Sequence, residues 1–331
     1  METISMDHGG GGLKAKKLVE GLLRYFESPY LEPLDDGAVL PLGDGRLAFT
    51  TDTYVVSPLF FPGGDIGRLA VCGTVNDLSV MGARPSFISC ALVLEEGLEG
   101  ETLEKVLESI ARTAEEAGVE VVTGDTKVVE RGTGFGLFVN TAGVGPVLVE
   151  LGLHKVSPGD ALLVSGTVGQ HGMAVLAARE GLEFEGEIKS DCAPVNSLVE
   201  ALLGACPSVK FLRDPTRGGL AGTLWEVAKG TGLGVEVWEE KVPISQEVSG
   251  LCELLGIDPL YSANEGRIVA IVPHEEADEA LGALRGHPLG RDAEVVGRIV
   301  EEHPGKVVLR TRVGGRRLMD LPAGDPFPRI C

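Results

Sequence analysis

One stretch restricts the possible folds more than any other: "IGRLAVCGTVNDLSVMGA", residues 66 to 83. Its apolar spacing predicts a helix on which Asp77 shares a stripe with Ala70, Gly73 and Met81, so that a carboxylate points inward. A buried carboxylate without partners costs about several kcal/mol or keeps its proton. Any fold this chain adopts must therefore bring groups to Asp77 that make it tolerable there.

Other aspartates stand where such partners are expected. Asp52 follows the strand "RLAFTT" and Asp125 follows the strand "VEVVTG". Each is read as the carboxyl end of a strand, where open α/β sheets bind ligands. Asp36, in the turn "LDDGAVL", is a fourth candidate, with Asp35 competing for the same role. A turn or a helix cap explains any one of these residues. The four together suit a hard cation, and Mg²⁺, which prefers oxygen ligands and joins one or two carboxylates to nucleotide phosphates, fits. The glycines of "DHGGGGLK", with Gly10 and Gly11 at the centre, offer backbone N–H groups to a phosphate at a helix start. That loop does not match the P-loop pattern, so a nucleotide would be held by a different fold.

The rest of the chain is organised as two α/β halves. "LKAKKLVEGLLRYFES" predicts a helix with Leu18, Val19, Leu22, Leu23 and Phe26 on one face. Strands at "RLAFTTD" and "SFISCALVL", a helix over 101–117 and strands at "VEVVTGD" and "GFGLFVNTAGVG" complete a first unit, residues 1–150. A turn at "SPGD" opens the second, residues 151–319, with helices near 172–181, 194–204, 217–229 and 275–285 and strands at "EGRIVAIVP", 294–300 and 306–310. Helices are expected on one face of each sheet. In the second half, Asp214 and Arg217 of "LRDPTRGGLAGTLWEVA" read equally as a paired turn or as ligand contacts. Glu265 precedes an apolar strand, and Lys127 follows Asp125 by two residues; spacing alone leaves both undecided.

Charge narrows the function. Asp and Glu outnumber Lys and Arg by 49 to 29, a formal charge of −20 with no basic run, which repels a nucleic-acid backbone. No apolar stretch approaches the ~20 residues that span a bilayer, and the N-terminus lacks a secretory pattern, so a cytoplasmic location is expected. Six cysteines without a C-x-x-C pair indicate neither structural zinc nor a disulfide framework. Five lie in apolar segments. The sixth, Cys331, ends a tail, residues 320–331, that reads "DLPAGDPFPRIC" and has no periodicity. As a proline-containing extended arm its last eleven residues reach roughly 30 Å.

Taken together, "TTDTYVVSPLFFPGGDIGRLAVCGTVNDLSVMGARP", "VTGDTKVVERG", "VSGTVGQHG", "RDPTRGGLA", "CELLGIDPLYSANEGR" and the terminal "PRIC" closely resemble the HypE family of hydrogenase maturation proteins. That family is one of a group of ATP-using enzymes including aminoimidazole ribonucleotide synthetase, thiamine-monophosphate kinase and selenophosphate synthetase. The resemblance covers nearly the whole chain. It implies a two-domain α/β (α+β mixed) fold whose first half joins that of a second subunit in a β-barrel, with ATP near the interface. It also implies a reaction: a carbamoyl group is received on Cys331 from the partner HypF and dehydrated with ATP to a thiocyanate. The cyanide then passes through a HypC–HypD complex to the iron of a [NiFe]-hydrogenase. On this resemblance Asp36, Asp52, Asp77 and Asp125 are the candidate Mg·ATP ligands; the chemistry of the implied reaction also needs a base for the carboxamide N–H protons, a role assigned to Glu265, with Lys127 stabilising charge or relaying a proton. "RGTGFGLFVNT" departs from the family pattern, carrying Gly and Phe where an acidic residue is expected. Two alternatives differ in what the thiol does: a related enzyme acting on a small phosphorylated substrate, or an ATP-bound scaffold whose tail only docks.

Overall fold

The computed structural model describes residues 12–23, 25, 29–30, 35–43, 45–132, 134–182 and 186–322. Gly10, Gly11 and the terminal Cys331 lie outside these residues. In the first unit, α1 (Leu13–Leu23) precedes the hairpin of β1 (Ala38–Leu42) and β2 (Gly45–Tyr54). A short ribbon, β3 (Phe60–Phe61) and β4 (Gly64–Asp65), leads into α2 (Ile66–Val80). Then follow β5 (Phe87–Glu95), α3 (Gly100–Ala117), β6 (Glu120–Val129) and β7 (Leu137–Pro146). The five long strands form a sheet in the order β1-β2-β7-β5-β6, in which only β5 and β6 run parallel, joined by α3.

The apolar helix predicted around Asp77 is α2, and local chemistry fixes its start. The Asp65 carboxylate accepts hydrogen bonds from the Gly67 and Arg68 N–H groups at 2.8 and 3.1 Å, satisfying donors that a helix cannot pair internally. Ile66, Leu69, Ala70, Val71 and Val75 pack with Val106 and Ile110 of α3 and with Ile88, Leu92 and Val139 of the sheet.

The second unit comprises β8 (Ala161–Val164), α4 (Gln170–Glu180), α5 (Asn196–Ala205), β9 (Phe211–Arg213), α6 (Gly219–Thr231) and β10 (Gly234–Trp238). It continues with α7 (Gln246–Leu255), β11 (Val269–Val272), α8 (Ala277–Gly286), β12 (Glu294–Val300), β13 (Val307–Arg310) and β14 (Arg316–Met319). Its sheet has the order β14-β13-β10-β12-β8-β11-β9. Here the structure departs from the one-sided covering expected of the sequence. Leu162 and Val164 of β8 pack under α6, whereas Ala161 and Leu163 pack under α5 and α8. Strands buried on both faces lose the alternation that would have revealed this. Among the described residues neither sheet closes on itself.

The two units meet along α2. Asn76, 1% exposed, donates from Nδ2 to the carbonyls of Ala193 (3.1 Å) and Glu265 (3.2 Å) and accepts from the Val195 N–H (2.8 Å). About two turns before it on α2, Arg68 Nε donates to the Cys192 carbonyl at 2.8 Å, and one turn after it Val80 enters the core under α5. A buried amide that satisfies three backbone groups leaves this seam little freedom to slide.

Candidate active site at the seam

Three carboxylates converge where the units meet: one oxygen from each of Asp36, Asp77 and Asp214 lies within 4.8 Å of the other two. Asp77 projects from α2 toward β2, where the Thr50 hydroxyl sits 2.7 Å from Asp77 Oδ2 and 2.7 Å from the Asp36 carbonyl. Asp36 arrives from the loop before β1. Asp214 follows β9, at the edge of the second sheet. Asp36 rather than Asp35 faces the cluster; Asp35 lies outward, 3.4 Å from Arg213.

Burial dominates the electrostatics. It raises the Asp36 and Asp77 carboxyls well above the usual carboxylate range, and neighbouring carboxylates add to the shift. Asp214 is likewise pushed up by burial, to about 6, against the pull of Arg213. Arg217 also pulls the Asp214 carboxyl down, and Arg213 is the cation paired with Asp36. Its Nε lies 2.8 Å from Asp36 Oδ2, close enough for ion pairing but too poorly angled for a hydrogen bond, and its Nη1 lies 2.8 Å from Glu226. Carboxylates outnumber guanidiniums here, which leaves an excess of negative charge. An all-oxygen donor set from three elements, with that excess, fits a hard divalent cation.

Asp52 flanks the cluster on β2. It accepts a hydrogen bond from the Tyr54 hydroxyl at 2.9 Å, and that hydroxyl occupies a notch in α2 at Gly73, where a Cβ would stand 1.9 Å from it. Asp52 does not end its strand, as the sequence suggested: β2 continues to Tyr54. Asp125 is also within a strand, since the β-branched run after it carries β6 on to Val129.

Asp125 and Lys127 stand apart from the other predicted residues. In the sheet, Thr53 pairs with Asn140, Asn140 with Ala91 and Ala91 with Asp125, so Asp125 lies three strands away, roughly 14 Å. Both are exposed, and Lys127 Nζ donates to both carboxylate oxygens of Asp125 at 2.9 and 2.6 Å. Within one chain they do not join Asp36, Asp52 and Asp77.

Glu265 is brought to the seam instead of the surface, with 3% exposure. Burial raises its carboxyl well above the ordinary range, and the Cys192, Asp214, Asp191 and Asp52 groups around it act in the same direction. The surrounding "ANEGR" segment is fixed residue by residue. Asn264 accepts from the Gly169 N–H at 2.7 Å and donates to the Pro215 carbonyl at 2.9 Å. The Asp191 carboxylate accepts from the N–H groups of Glu265 and Gly266 at 3.3 and 3.1 Å. A Cβ on Gly266 would strike the Asp191 carbonyl at 1.9 Å. Arg267 ties the strand start to Thr167 and Gln170.

Sequence reasoning did not single out Asp191, Tyr54 or Arg213, and it left Asp214 between a turn and a ligand contact. Asp214 was the more legible, since it follows a strand within a glycine-rich turn. Nothing in their spacing joins positions 36, 77 and 214.

Known proteins resemble the chain over its full length. The family described as AIR synthase related protein, N-terminal domain, matches residues 34–147, and its C-terminal domain counterpart matches residues 157–310. The carbamoyl dehydratase HypE of Rhodobacter capsulatus is 49% identical over 336 residues, covering 100% of this chain and 98% of that protein. A crystal structure of a HypE–HypF complex contains a chain 45% identical with a TM-score of 0.88, covering 92% of this chain and 99% of that one. A HypE crystallised in complex with ATP is 46% identical with a TM-score of 0.84, covering 99% and 100%.

Proposed function

Since the chain belongs to the HypE family of carbamoyl dehydratases, we infer that the acid cluster at its seam is the ATP site of a dehydratase acting on its own C-terminal cysteine. The enzyme converts a Cys331 S-carboxamide to an S-cyanate in hydrogenase maturation, at the expense of ATP. The convergence of Asp36, Asp77 and Asp214 carries the placement of the site. These residues, with Asp52 beside them, would hold Mg²⁺, which supplies charge neutralisation on the phosphates.

The chemistry explains why the chain needs both ATP and a base. A carboxamide oxygen is a poor leaving group; phosphorylated, it departs as phosphate while the C–O bond breaks. The nitrogen must lose both protons as C≡N forms. Glu265 takes one of them, its raised affinity for protons making it an effective acceptor once ionised, and the departing phosphate carries away the other. HypF is the carbamoyl donor partner, a HypC–HypD complex the acceptor, and the work is done in the cytoplasm.

Asp125 and Lys127 enter the site from a second subunit. β6 is exposed at every position from Glu120 to Val128, with Val121, Val122 and Val128 among them. An edge of that length and character is an aggregation liability unless another chain covers it. Pairing two such edges makes a homodimer whose joined sheets form the β-barrel. Mixing the inactive variants Asp77→Asn and Asp125→Asn should then restore roughly a quarter of wild-type activity through heterodimers with one intact site. No recovery after subunit exchange would place both residues in one chain's site.

The reaction itself is tested by intact mass. After loading by a carbamoyl donor system, ATP should remove one water from the adduct, with both changes localised to residue 331 by fragmentation. A carbamoyl group that remains, or that resides elsewhere, would refute the assignment.

A further inference from the structure

The last residues before the carrier arm are held in place. Asp320 Oδ1 accepts a hydrogen bond from Trp225 Nε1 at 2.9 Å, and its carbonyl accepts from the Tyr261 hydroxyl at 3.0 Å. Leu321 is buried in the core under α6. The Pro322 carbonyl accepts from the Leu13 N–H at 3.2 Å, one of the α1 donors that no intrahelical acceptor can satisfy. Lys16 of α1 lies 4.3 Å above the Trp225 ring, so α1 and the arm's root share one support.

We propose that Trp225, Tyr261 and Asp320, closed over by α1, form an anchor that sets the exit direction of the carrier arm and so delivers the Cys331 adduct to the acid cluster. This rests on the reading of Cys331 as the carrier. The support is continuous with the site: the residue after Trp225 is Glu226, whose carboxylate pairs with Arg213, which in turn pairs with Asp36. By ordinary bond lengths that path from Asp320 to Asp36 is at most about 25 Å. The nine residues from 323 to 331 extend to about 28 Å. The arm is therefore long enough to reach the cluster, and the direction in which it leaves its root decides where its tip lies. Tilting an arm that contains Pro326 and Pro328 by about 60° displaces its tip by roughly the arm's own length.

A flexible tether would behave differently. Releasing residues 320–322 lengthens the arm from nine residues to twelve, which lowers the effective concentration of the thiol only about 1.5-fold. The two cases are separable with protein carbamoylated at Cys331 and then given ATP, following the loss of water by mass. Trp225→Phe combined with Tyr261→Phe removes both donors and leaves an aromatic ring at each position. It should slow dehydration at least about fivefold, more than the tether arithmetic allows, with ATP affinity unchanged. Asp320→Ala, which removes the acceptor for Trp225 and leaves the carbonyl that accepts from Tyr261, should slow it as well, while Asp320→Asn, which keeps the acceptor oxygen, should match wild type. In parallel, the Cys331→Ala chain is given a synthetic peptide of residues 323–331 carrying the S-carboxamide. Its turnover should be equal with and without the anchor substitutions, because the anchor acts only on the tethered group. A tethered rate within about twofold of wild type, or an equal loss on the free peptide, overturns the proposal. Absence of dehydration in the wild-type protein would instead refute the reading on which it rests.

Discussion

Glu265→Gln is expected to lower the rate of Cys331 carboxamide dehydration by about 10²- to 10⁴-fold, the usual contribution of a general base, while ATP still binds. Glutamine keeps the size of the side chain and cannot accept the proton. The backbone of residue 265 is held by Asn76, Ala193 and Asp191 regardless of its side chain, so the seam should remain intact. The pH dependence adds a second criterion. Burial holds the Glu265 carboxyl well above its ordinary value, so the ionised, proton-accepting form grows as pH rises through a region above the usual carboxylate range. Wild-type single-turnover rates should rise with pH across that region, and the glutamine variant should lose this limb. Retention of the wild-type rate would remove Glu265 from the mechanism.

Asp77→Asn is expected to lower ATP-dependent turnover by at least about 10²-fold, because one of three converging carboxylates can no longer bind or neutralise. The same change should stabilise the protein in the absence of nucleotide and divalent cation. An unfolded Asp77 ionises in the ordinary aspartate range, whereas burial makes the folded group hold its proton to higher pH. The folded state therefore binds more protons over that interval, and stability falls as pH rises through it. Asp214, raised to about 6, contributes in the same direction. The apo wild-type thermal midpoint should decline between about pH 4 and 7, and less steeply in Asp77→Asn. If relief amounts to about 1 kcal/mol, the variant's midpoint at neutral pH lies roughly 2–4 °C higher. A lower midpoint in the variant would show that the cluster is not electrostatically strained.

The sequence disclosed those parts of the molecule that depend on local pattern. α2 and its inward Asp77 follow from apolar periodicity. The helices at α3, α5 and α8 and the strands at β12 and β13 lie within a residue or two of where turn and pattern signals put them. Less legible was anything that depends on what packs over an element. The strands β8 and β11 are apolar throughout and carry no mark of which helices cover which face. Arg213 reads as part of a charged turn and only the folded seam reveals that it grips Asp36. Asp52 and Asp125 look equivalent in sequence, each after a strand-like run, but register sends them to opposite parts of one sheet.

The position of the acid cluster has a consequence for how this molecule can be divided. Asp36 and Asp77 belong to the first unit and Asp214 to the second, so neither half alone possesses the full ligand set. An occupant held by all three contributes its binding free energy to the cohesion of the two halves. The site therefore works as a molecular rivet: filling it should make the chain unfold as one cooperative body, and emptying it should let the halves melt more independently.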